Sequence, residues 1–255
     1  MERENRVKSV DRALDIIKIV SSNKEGCGVT EIANQIDINK SSVYRILVTL
    51  AQHGFIEQDE SSGKYKIGYS FLEISSSLLE SIDIRSEAMP FLKELESETD
   101  EVVHLVVYDQ GEVVYIEKLE GNQTLRTHSK VGRRAPMHCS AVGKAILSHQ
   151  TPAEVAEIIK QNGLPKHTDY TITNKGRFLQ ELDDIKTKGY SLDLEENEYG
   201  IICIAVPVFD YLGKVMAAIS VSGPSIRMSE DRIACLKQKI IESGSKISAR
   251  LGYKK

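Results

Sequence analysis

Residues 28–59 read GVTEIANQIDINKSSVYRILVTLAQHGFIEQD. Thr30 is placed to cap a short helix carrying Ile32, Ala33 and Ile36, and Asn39 a second helix carrying Val43, Ile46, Leu47 and Leu50. Side-chain oxygens at such positions accept hydrogen bonds from the N–H groups that a helix start leaves unpaired. Two helices joined by a short turn make a helix-turn-helix. Gly54 to Asp59 stops the second helix and begins a strand, Ser61-Ser62-Gly63 turns, and Lys64 to Ile67 returns as a second strand. Upstream, Val10, Ala13, Leu14, Ile17 and Val20 recur at helical spacing over 7–21. Residues 1–68 therefore read as three helices followed by a two-stranded wing.

Charge sharpens this reading. The chain carries a net charge of −4, which argues against coating nucleic acid by bulk electrostatics. Basic and acidic residues also balance over residues 1–68, yet no acid occurs between Asp37 and Glu57. In a helix-turn-helix the second helix enters the major groove, and its exposed side chains here are Lys40, Ser41, Ser42, Tyr44, Arg45 and Thr49. Arg is suited to bidentate contact with guanine, Ser and Thr donate and accept, and Tyr can bond a phosphate. Lys64 and Lys66 on the wing supply further phosphate contacts.

From Tyr69 to Arg85 the apolar positions Phe71, Leu72, Ile74, Leu78, Leu79 and Ile82 predict one uninterrupted linker helix, residues 69–85. Beyond it, Val102 to Val107 pairs with Val113 to Lys118, and Ile201 to Phe209 with Lys214 to Ser222, as two hairpins. Between them lie helices over Ala141 to Ser148, Pro152 to Gln161 and Lys175 to Lys188, the middle one opened by a Thr151/Glu154 capping box. A final helix runs from about Ser229 to Leu251. Residues 86–255 thus form an α+β domain with a mostly antiparallel sheet covered by helices. The widely spaced Cys27, Cys139, Cys203 and Cys235 form no C-x-x-C pair and read as reduced cytosolic thiols. No stretch is apolar and long enough to span a bilayer, so a cytoplasmic protein is expected.

The residues His138-Cys139-Ser140-Ala141-Val142-Gly143-Lys144 precede and open a helix whose first-turn N–H groups lack intrahelical acceptors. A small oxyanion can dock there, or Ser140 can simply cap the helix. The chain resembles the IclR family of bacterial transcription regulators through VKSVDRALDIIKIV, the stretch quoted above, YKIGYSFLEI, GRRAPMHCSAVGKAILS and DLEENEYGIICIAVPVFDYLGKVMAAISVSGP, in collinear order. That resemblance implies an N-terminal winged helix, a linker helix, and a C-terminal GAF-like or profilin-like effector domain, used as homodimers or dimer pairs. It further implies a pocket lined by Ala141 and Val142 at the helix start, Asp193, Cys203, and Ser220 and Ser222; Ser140, a small residue at the same helix start, and Ile201, as an apolar part of the wall, join them as candidates. The two-residue spacing of the serines puts both on one face of a strand, and Asp193 can accept a ligand hydroxyl.

Side chains in a strand over 123–130 and at Met137 are expected to set pocket size, with Arg126, Arg133 and Arg134 as candidate carboxylate partners. The resemblance implies a small organic acid as effector: a keto acid, a sugar-acid catabolite or an aromatic acid. Three other readings compete. An enzyme would use Cys139 or Cys203 as nucleophile with His104, His128 or His138 as base, but no nucleophile signature is present. A metal site would draw on His104, His138, Cys139 or Cys203 without paired ligand spacing. A winged-helix protein-interaction adaptor is disfavoured by the acid-free reading helix. The expectation is a ligand-responsive repressor of a catabolic operon that binds a pseudo-palindromic operator, with no catalytic residue, metal or cofactor.

Overall fold

The computed structural model describes residues 7–121 and 129–254. The chain divides into two compact units between Ile82 and Asp83. The first contains α1 (Lys8–Ser22), α2 (Val29–Ile36), α3 (Lys40–Gln52), β1 (Ile56–Gln58), β2 (Tyr65–Ile67) and α4 (Ser70–Ser81). Its core joins Ile16 and Val20 of α1 to Ile32, Val43, Leu47, Ile56 and Tyr65. The α1 stripe that faces this core is therefore rotated from the expected one: Val10 and Leu14 stay exposed, and Ile16 takes the buried place.

Local chemistry explains the ends of these elements. Asn39 caps α3 as expected, its Oδ1 accepting from Ser42 N at 2.8 Å. Thr30 does not cap α2; Gly28 occupies that position and its N–H donates to the Glu31 carboxylate at 3.1 Å, so Thr30 lies within the first turn. The wing is tied back to the helices by Cys27, which exchanges two backbone hydrogen bonds with Tyr65 at 3.0 and 2.9 Å. At the wing tip the Asp59 carboxylate accepts from the N–H and hydroxyl groups of both Ser61 and Ser62, and these bonds hold its carboxyl well below the usual range. The linker helix is shorter than the expected 69–85. It stops at Ser81 because Asp83 is a helix cap in its own right, accepting from Arg85 N and opening the next helix.

That next helix, α5 (Ile84–Thr99), begins the second unit and was not expected. Pro90 lies inside it, yet Ala88, Leu92, Leu95 and Thr99 keep a buried stripe at helical spacing. There follow β3 (Val102–Asp109), β4 (Glu112–Leu119), β5 (Arg134–Pro136), α6 (Ala141–Leu147), α7 (Pro152–Asn162), α8 (Lys175–Lys188), β6 (Ser191–Leu194), β7 (Ile201–Phe209), β8 (Val215–Pro224) and α9 (Glu230–Arg250). The strands form one antiparallel sheet in the order β5-β4-β3-β8-β7-β6. This is the α+β architecture expected of the effector domain, with the Thr151/Glu154 capping box in place at the start of α7.

Strand alternation divides the sheet into two faces. On one, Val106, Val113, Ala205 and Ala218 pack under α6, α7 and α8. On the other, α9 comes so close that a Cβ at Gly244 would stand 2.6 Å from Val206 Cγ2. Helix α6 is buried at every residue, and a Cβ at Gly143 would collide with the Met137 backbone. Gly143→Ala is therefore expected to destabilise the second unit by about 1–3 kcal/mol, the range for overpacking a filled core. Chemical denaturation compared with the wild type measures it.

Candidate nucleic-acid interface and effector pocket

The amphipathic turn of α3 sorts its side chains cleanly. Val43 and Leu47 are buried, while Lys40, Ser41, Tyr44, Arg45 and Thr49 are exposed and Ser42 is half-buried beside the cap. Ser41 Oγ donates to Asn39 Oδ1 at 3.0 Å and Thr49 Oγ1 to Arg45 O at 3.0 Å, which leaves both lone pairs of each hydroxyl as acceptors. Lys40 and Arg45 have no carboxylate partner among the described residues, and neither has Lys64 on the wing. Lys66 stands 3.5 Å from Asp59 in an exposed pair, which holds it only weakly.

In the second unit the register builds a polar patch on the α6 face of the sheet. Asp193 is opposite Cys203, and Cys203 opposite Ser222, in one cross-strand row. Ser191, Ala205, Ser220 and His104 form the next. Above these rows lies a cavity of about 440 Å³ whose wall includes His104, Tyr115, Ser129, Arg133, Arg134, His167, Asp193, Asn197, Glu198, Ile201, Cys203 and Ser222.

Of the pocket residues expected from sequence, Asp193, Ile201, Cys203 and Ser222 line this wall, with Arg133 and Arg134. Ser140, Ala141, Val142 and Ser220 lie behind it. Ser140 spends its hydroxyl on the Pro136 carbonyl and on Gly143 N, so the capping alternative describes its side chain. Ala141 and Val142 are buried under the sheet face, and Ser220 bonds His104 Nδ1 at 3.2 Å. Met137 instead lines a separate apolar cavity between α6 and α7. Arg134 is engaged by Asp109. Residues 123–128 of the stretch 123–130, including Arg126 and His128, lie outside the described residues, and Ser129 and Lys130 are not in a strand.

His104, Tyr115, His167, Asn197 and Glu198 line the cavity without being among the expected pocket residues. His104 is buried, with Nδ1 near Ser220 and Ser222 and Nε2 2.7 Å from Ser129 Oγ, and its ring meets Tyr115 edge-on at 4.9 Å. Burial, reinforced by Lys118, pushes its pKa down to about 3, so the imidazole is neutral and serves as one donor and one acceptor. Asp193 is 3% exposed, and its Oδ1 accepts from Glu196 N at 2.7 Å and Asn197 N at 3.3 Å. Burial outweighs those two bonds and raises its pKa to about 7. The pocket thus offers a neutral imidazole, hydroxyls, and a carboxyl that exchanges a proton near neutrality.

Known proteins point the same way. The family profile "Bacterial transcriptional regulator IclR C-terminal" matches residues 76–249, and "IclR helix-turn-helix domain" matches residues 9–60. The chain belongs to the IclR family. It is 34% identical to the regulator XynR of Escherichia coli over 97% of this chain and 98% of that protein, and 34% identical to E. coli KdgR over 99% and 95%. Among solved structures, Thermotoga maritima IclR matches with TM-score 0.66 at 33% identity, covering 97% of this chain and 100% of that one. The Agrobacterium tumefaciens repressor BlcR matches with TM-score 0.83 at 26% identity, over 97% and 98%.

As an IclR-family protein the chain is a DNA-binding transcriptional regulator and not an enzyme. Its thiols agree: burial pushes both Cys139 and Cys203 up, whereas a nucleophilic cysteine is activated by a lowered pKa. His138, Cys139 and His167 bring one potential ligand atom each to within 4.8 Å of one another. His138 Nε2 is already 2.9 Å from the Pro165 carbonyl and Cys139 Sγ 3.6 Å from Asn197 Oδ1. Among the described residues no helix is long and apolar enough to cross a membrane.

The raised pKa of Asp193 has a signed consequence. The folded state holds this proton more tightly than the unfolded chain, so stability falls as pH rises from about 4 to about 7. Asp193→Asn keeps the acceptor for the two N–H groups and removes that cost. Above pH 7 it is expected to stabilise the second unit by on the order of 4 kcal/mol, and below pH 4 by nothing. Thermal unfolding across pH measures both limits.

Proposed function

We propose that this protein is a ligand-responsive repressor of a catabolic operon, bound to a pseudo-palindromic operator and released by a small organic acid. The observation that carries the DNA-binding part is the exposed face of α3, where Lys40, Ser41, Tyr44, Arg45 and Thr49 stand, with Ser42 half-buried beside them, in a window free of acids. Lys64 and Lys66 on the wing add phosphate contacts. Repression is the sign favoured by the names of two similar proteins, the transcriptional repressor AllR of E. coli and the repressor BlcR. Such a regulator works in the cytoplasm.

A homodimer, alone or paired into a tetramer, fits both the operator and α4. That helix buries none of its residues within one chain and exposes Leu72, Ile74, Leu78 and Leu79. A second copy would cover this face and present two α3 helices to successive major grooves. The effector is assigned to the cavity bounded by Asp193, Ile201, Cys203 and Ser222, with its carboxylate toward Arg133 and its hydroxyl or carbonyl groups toward His104 and Asp193. Ser140, Ala141, Val142 and Ser220 support that wall from behind. Effector can change DNA affinity only through a difference in its own affinity for the two DNA-binding states.

The deciding experiment titrates the purified protein onto DNA upstream of its own and neighbouring genes, against salt and a panel of organic acids. A specific complex that weakens steeply with salt and is released by one acid is the expected result. Salt-insensitive binding to all DNA alike, or no binding, overturns the reading. Arg45→Ala is expected to weaken operator binding by about 1–3 kcal/mol and to relax sequence preference at one base pair in each half-site; an unchanged preference in a competition assay removes Arg45 as a base contact. Ser222→Ala is expected to blunt release by the acid. A reporter fused to the operator measures that loss.

A further inference from the structure

Lys144 is a charged side chain with no exposed surface at all. It projects from a helix in which every residue is buried, and its ammonium meets Glu196 Oε1 at 2.5 Å and Glu181 Oε1 at 3.1 Å. Replacing such a pair by apolar groups of equal volume is often neutral or stabilising, so a fully buried lysine calls for a role beyond holding the fold together.

Glu196 shows what that role is. Its side chain reaches Lys144, its N–H donates to Asp193 Oδ1 at 2.7 Å, and its carbonyl accepts from Thr171 Oγ1 at 2.6 Å. One residue therefore joins the middle of α6, the pocket carboxyl and the segment before α8. Its second carboxylate oxygen, Oε2, is buried without a hydrogen-bond partner. All of the direct hydrogen bonding to this carboxylate thus comes from Lys144. Without the ammonium, a buried carboxylate would be left with no partner on either oxygen, and it would have to swing out or take a proton. Either change breaks the tie.

We propose that Lys144 is a positioning residue for the effector pocket: by clasping Glu196 it holds the Asp193–Asn197 turn against α6, so that the Asp193 carboxyl faces the cavity. The inference rests on the reading of that cavity as the effector site. A parallel tie, Ser191 Oγ to the Ala141 carbonyl at 2.6 Å, fixes the other end of β6 to the same helix. The clasp is also electrostatic. Lys144 favours and Glu196 opposes ionisation of Asp193, while Tyr115, Cys139 and Cys203 around it are neutral at physiological pH. Glu196 in turn feels Lys144 of α6 and Glu181 and Arg177 of α8.

The test uses full-length K144M, K144R, E196Q and the charge-free pair K144M/E196Q, with circular dichroism to establish folding. In the ligand-free protein, hydrogen exchange of the Glu196 and Asn197 amides is expected to quicken at least tenfold in K144M/E196Q and to return most of the way in K144R. The carbon-13 titration of the Asp193 carboxyl, assigned with D193N, is expected to move up in K144M and down in E196Q. A purely space-filling role would leave the exchange in the folded double variant unmoved. Wild-type exchange in folded K144M/E196Q overturns the proposal, and if that variant does not fold, wild-type exchange of the Glu196 and Asn197 amides in folded E196Q, where the clasp has lost its charge pair, overturns it instead. Pyruvate, D-gluconate and benzoate then serve as calorimetric probes, and an acid that binds the wild type is expected to bind folded K144M/E196Q at least tenfold more weakly. Equal binding also overturns the clasp. Failure of all three acids to bind the wild type counts against the effector reading, while the ligand-free measurements still decide the role of Lys144.

Discussion

The burial of α6 is the constraint on which the second unit depends. Seven residues, all buried, lie between the sheet and α8. A helix in that position has no solvent-facing side on which to place a polar residue, so each position is either small, apolar or paired. Gly143 admits the Met137 backbone, Ala141 and Ala145 allow close approach to the strands, and Lys144 survives only because Glu196 and Glu181 meet it. The helix is short, but the segments on both sides of the pocket are anchored to it.

The pocket is the polar exception on an apolar sheet face. Strand alternation that sends Val106, Ala205 and Ala218 into the core sends His104, Cys203, Ser220 and Ser222 to the same side, farther along the strands. Buried polar groups are tolerated there because they satisfy one another, as the contacts of His104 with the serine hydroxyls show. Asp193 is the least comfortable member of the group, since burial outweighs its two backbone hydrogen bonds and holds its proton into the neutral range. A site of this kind has both hydrogen-bond capacity and a titratable group to offer a ligand. The reading head differs in kind. Its polar side chains are mostly outside, in water, where solvent can satisfy them.

Legibility followed the range of the interactions. The winged helix was readable because Asn39, the Val43/Leu47 stripe and the Ser61-Ser62-Gly63 turn act within a few residues of chain. The capping box at Thr151 and the two long hairpins were readable for the same reason. Thr30 failed as a cap because Glu31 could reach back to Gly28, a competition between neighbours that residue type alone does not rank. The sequence makes the linker too long because the apolar spacing runs on to Ile82 without punctuation, whereas Asp83, a residue type favoured at caps, opens a new helix after the extended backbone at Ile82. His104 was visible only as a possible base or ligand, since its role comes from pairing with a strand more than a hundred residues away.

By itself the sequence determined the helix-turn-helix, the α+β class of the second unit and membership of the IclR family, all of which rest on local periodicity, caps and collinear motifs. Only the tertiary structure decided which side chains face the cavity. Register across four strands put Ser222 on the wall and Ser220 behind His104, although the two serines are two residues apart on one strand. It also decided that the lysine of Gly143-Lys144 is buried, because the carboxylate that makes its burial tolerable arrives from a turn 52 residues downstream. Periodicity reports the face of an element, but which neighbour covers that face, and which charge it brings, is fixed only when distant segments pack.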